Sequence, residues 1–310
     1  MPLTLPVLVG PTGVGKTEIA VLLAQRYNLE IISADSRQVY KYMDIGTDKP
    51  SKELQQKVKF HMIDLVCPDK LYSAADYVRD VTKVIEELSA QGKKFILVGG
   101  SGLYLRALFQ PFFKAPRPIP ELRAELAKKP LTELYDRLKT VDPESAQKIH
   151  PRDRQRIIRA LEIYLLTGKT KSEMVKESCP IIKYVPFYIG LFIPKKLLYA
   201  KIEQRFDKMI EQGLVQEVKG LLDMGYDEDL YAFNAIGYRE IFGYVKSRIS
   251  LELAIAVAKK KSKAYAKRQL TWFKREPGII WIEYNDKEEV IKKIIESFPA
   301  IIEQPQDYTG

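Results

Sequence analysis

The sequence predicts an α/β protein: a parallel sheet flanked by helices, interrupted by an inserted all-helical domain. Three observations carry that expectation. Short, nearly continuous apolar runs (Leu5 to Val9, Glu30 to Ser33, Phe95 to Val98, Phe187 to Ile193) alternate with longer segments of helical period, the pattern of strands buried on both faces. Two of those runs pass directly into glycine-rich turns, Gly10 to Thr17 and Gly99 to Gly102. From Pro111 through Pro116, Pro118 and Pro120 the strand pattern disappears, and a charged helical stretch fills the chain until Pro180 and Pro186 bracket its return. The expected division is a core of residues 1–114 and 184–310 around an insertion of residues 115–183.

Composition narrows the class. The 310 residues suffice for one large core plus a module, and 46% hydrophobic content excludes a disordered chain. A net charge of +10, from 50 Lys+Arg against 40 Asp+Glu, favours a polyanionic partner, with a merely basic solvated surface as the plain alternative. Cys67 and Cys179 are far apart, and His61 and His150 are the only histidines, so neither a disulfide scaffold nor a zinc cluster is expected. No leader pattern and no apolar run of about 18 residues occurs, which points to a cytoplasmic protein with no membrane attachment, and a monomer is expected.

The first turn, Gly10-Pro11-Thr12-Gly13-Val14-Gly15-Lys16-Thr17, fits G-x-x-x-x-G-K-[ST] between a strand and the helix that starts near Glu18. Such a loop wraps backbone N–H groups around a polyphosphate, Lys16 adds a positive charge, and the Thr17 hydroxyl can hold Mg²⁺. The core is therefore expected to be P-loop NTPase-like. Asp35-Ser36-Arg37-Gln38 follows the second strand, on the edge where open α/β sheets bind ligands; Asp35 there reads equally as a helix cap or turn. Phe60 to Asp64 reads as a short strand, and Ser73 with Asp76 as a capping box opening a helix that runs to Gly92. Gly99-Gly100-Ser101-Gly102 would let a ligand approach the backbone, with Ser101 a hydrogen-bonding group, though tight helix–sheet packing explains it as well.

Within the insertion, Pro151 to Leu166 reads as a helix with Arg152, Arg156 and Arg159 on one face and Ile157, Leu161, Tyr164 and Leu165 on the other. An arginine stripe on an apolar anchor suits a phosphodiester backbone; arginines paired to nearby carboxylates are the alternative. Later helices carry Arg205 and Arg239, either within reach of a diphosphate or engaged in surface ion pairs. Leu251 to Arg275 is helical and basic, with Tyr265, Trp272 and Phe273 interleaved. Ile279 to Ile282 is a last strand, followed by a helix from Glu288 to Phe298.

Taken in order, Gly10 to Thr17, Asp35 to Tyr40, Asp44-Ile45-Gly46-Thr47, Gly99 to Tyr104, Arg156 to Glu162 and Arg268-Gln269-Leu270-Thr271-Trp272-Phe273 resemble the bacterial tRNA dimethylallyltransferases over nearly the whole chain. Ser101 departs from the Thr that many members carry but keeps the hydroxyl. The resemblance implies transfer of a dimethylallyl group from dimethylallyl diphosphate to N6 of the adenosine 3′ of the tRNA anticodon, position 37, in tRNAs reading codons that begin with U. It implies Asp35 as general base, with Thr12 and Arg205 also at the catalytic centre. Diphosphate would be held by Gly10, Pro11, Thr12, Gly13, Val14, Gly15, Lys16, Thr17 and Arg239, with Mg²⁺ on Thr17. The anticodon stem-loop would be held by Asp35, Ser36, Arg37, Gln38, Ser101, Arg123, Gln155, Arg156, Ile157, Ile158 and Arg159, the insertion supplying the last six. Two rivals remain at this level: a small-molecule or nucleoside kinase using the same loop on ATP, and a nucleotide-gated RNA-binding module without catalysis.

Overall fold

The computed structural model describes residues 2–110, 115–177 and 182–302; Pro111, Cys179 and Pro180 lie outside them. Among the described residues six strands form one sheet in the order β3-β2-β4-β1-β5-β6, every adjacent pair parallel. Two compact units divide the chain: Met1–Phe109 with Lys183–Gly310, and Gln110–Ile182.

The first unit begins with β1 (Leu3–Val9), whose last five residues are buried because the strand lies inside the sheet with a face on each side of it. The loop Gly10 to Gly15 leads into α1 (Lys16–Tyr27), which ends on Asn28 in the left-handed conformation, its N–H bonded to the Ala24 carbonyl. Then come β2 (Glu30–Ala34), α2 (Lys52–Lys57) and β3 (Phe60–His61). The strand expected to reach Asp64 stops at His61, because Met62 and Asp64 take positive φ values of 63° and 54° that no strand accommodates. Helix α3 (Ala74–Ala90) opens on the Ser73–Asp76 capping box, and β4 (Phe95–Gly99) runs into α4 (Gly102–Phe109).

The second unit is all-helical among its described residues. It contains α5 (Pro120–Lys128), α6 (Leu131–Val141), α7 (Pro143–Lys148), α8 (Arg154–Thr167) and α9 (Lys171–Glu177) around a small core of Leu126, Leu134, Leu138, Ile157 and Leu161. Helix α8 starts later than its charge pattern suggests. Asp153 is its N-cap, accepting from the Arg156 N–H, so Arg152 lies outside the helix. Leu165, expected on the apolar face, is 40% exposed.

Back in the first unit, β5 (Tyr184–Phe192) pairs with β1 along most of its length. Pro186, expected before this strand, lies inside it, at a point β6 does not reach: β6 pairs only with Ile189 to Phe192, so the missing N–H removes no ladder bond to it. There follow α10 (Lys195–Glu211), α11 (Leu214–Asp223), α12 (Tyr238–Val245), α13 (Leu251–Phe273), β6 (Ile280–Glu283) and α14 (Lys287–Ser297). Much of the charge of α13 is locally neutralised: Lys259 pairs with Asp207, Lys261 with Glu240 and Lys263 with Glu203.

Candidate active site

Three loops leave the carboxyl ends of adjacent strands β1, β2 and β4, and together with α10 and α13 they enclose a cleft of about 720 Å³. This is where parallel sheets collect ligands, since the helices that follow the strands point their positive N-terminal ends there.

Thr12, Gly13, Gly15, Lys16 and Thr17 of the first loop line the cleft. Gly13 and Gly15 sit at φ +81° and +103°, a bend that a side chain would strain, and Gly15 is the N-cap of α1. Gly10, Pro11 and Val14 shape the loop from behind: Val14 is fully buried, and the Pro11 carbonyl accepts a 2.9 Å bond from Lys16 Nζ. Burial pushes the Lys16 ammonium down to about 8; the charges of Asp35 and Asp48 oppose that fall and Arg205 adds to it. An arriving anion therefore meets a lysine that gains from being paired.

Asp35, Ser36, Arg37 and Gln38 form the second wall. Asp35 accepts the Arg37 N–H at 2.8 Å, an Asx turn that fixes its carboxylate at the strand end. Arg37 donates to the carbonyls of Tyr231 and Ala232 at 3.1 and 3.2 Å, and its guanidinium lies 5.2 Å from the Tyr231 ring centre. Gln38 accepts from Ser33 at 2.9 Å and donates to the Asp48 carbonyl at 3.1 Å. Ser101 is buried rather than cleft-lining; its hydroxyl accepts the Ser36 N–H at 2.9 Å and ties the ends of β2 and β4 together.

Arg205 reaches the cleft from α10, with Nη1 2.9 Å from Asp48 and a buried Nε that has no partner among the described residues. A buried guanidinium N–H left without a partner at the wall of a cleft is a donor waiting for an acceptor. Arg239 does not line the cleft. It is bonded at 3.0 Å to Asn234, which does.

Gly99 and Gly100 of the second glycine-rich turn line the cleft, and the turn is also packed closely by its neighbours. A Cβ on Gly100 would lie 2.1 Å from Gln269 Nε2, one on Gly102 would lie 2.3 Å from Trp272 Nε1, and one on Gly99 2.2 Å from the Ala34 carbonyl. The close approach is thus made by α13 and the neighbouring strand, which is the packing alternative for this turn. Gln269 was missed as a functional residue by sequence reasoning, although it stands inside a recognised motif; nothing local marks a glutamine that acts 257 positions away on Thr12. Also missed was Asp48, whereas Tyr265 was among the aromatics of the basic helix open to base stacking. Tyr265 lines the cleft, and burial together with the Asp35 charge pushes its phenol up to about 12.

The helical unit places its expected residues in two groups. Gln155 and Arg156 are exposed, Arg156 pairing loosely with Asp153 at 3.3 Å. Ile157 and Ile158 are buried side chains of the unit's core. Arg123 and Arg159 both bind Glu162, which is fully buried and also accepts the Ile119 N–H at 2.8 Å. Burial alone would raise the Glu162 carboxyl; the two guanidiniums and the N–H outweigh it and hold it below its ordinary value. These two arginines are an internal brace, with 39% and 26% of their side chains exposed.

A P-loop-like α/β core with a glycine-rich loop, a carboxylate and an arginine in one cleft at the strand ends is the class of protein this chain presents. The family model for IPP transferases matches residues 38–276, and the chain belongs to that family. It is 45% identical over 298 residues to a tRNA dimethylallyltransferase of Geotalea uraniireducens, covering 94% of this chain and 96% of the relative. A Geobacter sulfurreducens tRNA dimethylallyltransferase is 43% identical, covering 95% and 96%. The tRNA isopentenylpyrophosphate transferase of Bacillus halodurans superposes with a TM-score of 0.71 at 38% identity over 96% of each chain. A eukaryotic dimethylallyltransferase, solved acting on tRNA, gives 0.81 at 28% identity over 98% of this chain and 81% of that one.

Proposed function

We propose that this chain transfers a dimethylallyl group from dimethylallyl diphosphate to N6 of the adenosine 3′ of the anticodon, position 37, in tRNAs reading codons that begin with U. The observation that carries the proposal is the shared cleft, in which the phosphate loop, Arg205 and Asp35 face one volume.

The reaction needs two things from the protein. The C–O bond to diphosphate breaks as the C–N bond forms, and the departing charge is met by the loop and helix N-terminus, by Lys16 and by the free Nε of Arg205. The N6 lone pair is delocalised into the adenine ring, so the amine attacks better as its proton passes to a carboxylate, the task of Asp35. The adenosine must leave the base stack to reach it. Arg37, Gln38 and the buried Ser101 hold the acceptor side, while exposed Gln155 and Arg156 of the helical unit bind the stem-loop backbone, on the footing laid by Ile157, Ile158, Arg123 and Arg159. Thr12 supports the diphosphate directly, and Arg239 only through Asn234, its bonded partner on the cleft wall.

The donor set suits Mg²⁺. The Thr17 hydroxyl lines the cleft and is a hard oxygen ligand of the kind Mg²⁺ takes; substrate phosphate and water would supply the rest of the shell. When bound, the ion would neutralise charge on the leaving diphosphate. Incubation with unmodified tRNA, Mg²⁺ and either dimethylallyl diphosphate or ATP, followed by mass analysis of the nucleosides, tests the proposal. Dimethylallyl-adenosine forming only with the isoprenoid donor supports it; unchanged RNA with ATP consumed overturns it.

A further inference from the structure

Helix α13 places one buried amide across both glycine-rich turns. Gln269, 6% exposed, accepts the Thr12 N–H through Oε1 at 2.8 Å and donates through Nε2 to the Gly100 carbonyl at 3.0 Å. One turn further along the helix Trp272 lies against Gly102, so both glycines are shaped to admit side chains of α13. The bonded path continues: Ser101, between those glycines, accepts the Ser36 N–H, and Ser36 adjoins Asp35. A helix of 23 residues thus connects the loop assigned to the diphosphate with the residue assigned to the acceptor amine. A hydrophobic residue could fill the same space, but only a group with one acceptor and one donor satisfies both backbone partners.

We propose that Gln269 is a positioning residue that sets the spacing between the donor loop and the acceptor-side turn. It rests on the transferase reading above. Group transfer falls steeply when reacting atoms are held away from attack distance, whereas each substrate can still bind its own loop. Loss of the bridge therefore acts on turnover more than on either binding step.

The test compares wild type, Gln269→Met and Gln269→Glu in steady-state transfer, after thermal melts confirm folding. Methionine keeps the length and removes both bonds. The expected result is a kcat lowered about 10- to 100-fold, with KM for dimethylallyl diphosphate and for tRNA each changed less than about threefold. The Gln269→Glu variant keeps the acceptor for Thr12 but sets a carboxylate against the Gly100 carbonyl, so it should be comparably slow at pH 8. A protonated carboxyl restores a donor and an acceptor, so its rate relative to wild type should climb as pH falls toward about 5.5. A purely space-filling residue would show no such climb. Variants within twofold of wild-type kcat, or a flat pH ratio, overturn the proposal alone. A wild type that forms no dimethylallyl-adenosine overturns the transferase reading and this role with it.

Discussion

Two glycine-rich turns leave neighbouring strands of one sheet; both admit close packing, but only the first also needs glycine for its backbone angles. In the loop before α1, Gly13 and Gly15 adopt φ values of +81° and +103°, so the backbone itself is bent into the cleft. In the turn before α4, Gly100 and Gly102 need no such conformation; their missing side chains make room for Gln269 and Trp272. The first set is about shape and contact together: besides its strained φ, a Cβ on Gly13 would meet Ile202 at 3.0 Å and one on Gly15 the Tyr284 ring at 2.3 Å. The second is about contact, and its space is already occupied by the protein. A run of glycines after a strand therefore says only that something comes close or something bends.

That contrast can be broken by substitution. Gly15→Ala combines strained φ with a Cβ placed 2.3 Å from the Tyr284 ring, so the loop must move. Transfer should fall by about 100-fold or more, and inorganic diphosphate affinity, read by titration calorimetry, should fall with it.

Lys16 offers a subtler probe of the same loop. Its ammonium, pushed down to about 8 by burial, is charged below that pH and neutral above it. An anion binds the charged form, so diphosphate affinity should be full near pH 7 and weaken as pH rises through 8, on the order of tenfold by pH 9. Lys16→Gln should bind weakly at every pH, without that slope.

The second turn should answer as packing does. Gly100→Ala overcrowds Gln269 and should cost about 1–3 kcal/mol in thermal or denaturant unfolding, with turnover falling alongside. Gly220→Ala provides the reference: it lies within α11 with nothing within 4 Å of an added Cβ, and it should raise stability by about 0.5–1 kcal/mol.

Much of this was legible in the sequence because the signals are local. The buried strands, the phosphate loop and the Ser73 cap each declare themselves within a few residues, through apolar runs, glycine spacing and a capping pattern. Position along a helix is legible too: of Leu198, Ile202, Phe206, Met209 and Ile210, which keep helical spacing in α10, four are buried and Ile210 is half-buried. What was not legible depends on partners distant in the chain. Arg159 read as part of a phosphate-facing stripe or as an ion pair, and only the fold shows it and Arg123 both closing on Glu162, a charged residue inside an apolar stripe. Asp48 looks like any loop aspartate until Arg205 folds against it from 157 positions away. The early end of β3 turns on backbone angles at Met62 and Asp64, two residues with no intrinsic preference strong enough to announce a left-handed conformation.

The proposed reaction stands or falls on Asp35 taking the amine proton in a cleft whose other wall would hold the diphosphate. Single-turnover transfer by Asp35→Asn, with diphosphate affinity measured on the same preparation, tests it most directly. The account predicts a rate lowered about 10²- to 10⁴-fold with affinity unchanged within about threefold, because the amide keeps the turn bond to Arg37 but cannot accept the proton. A rate within threefold of wild type would contradict it.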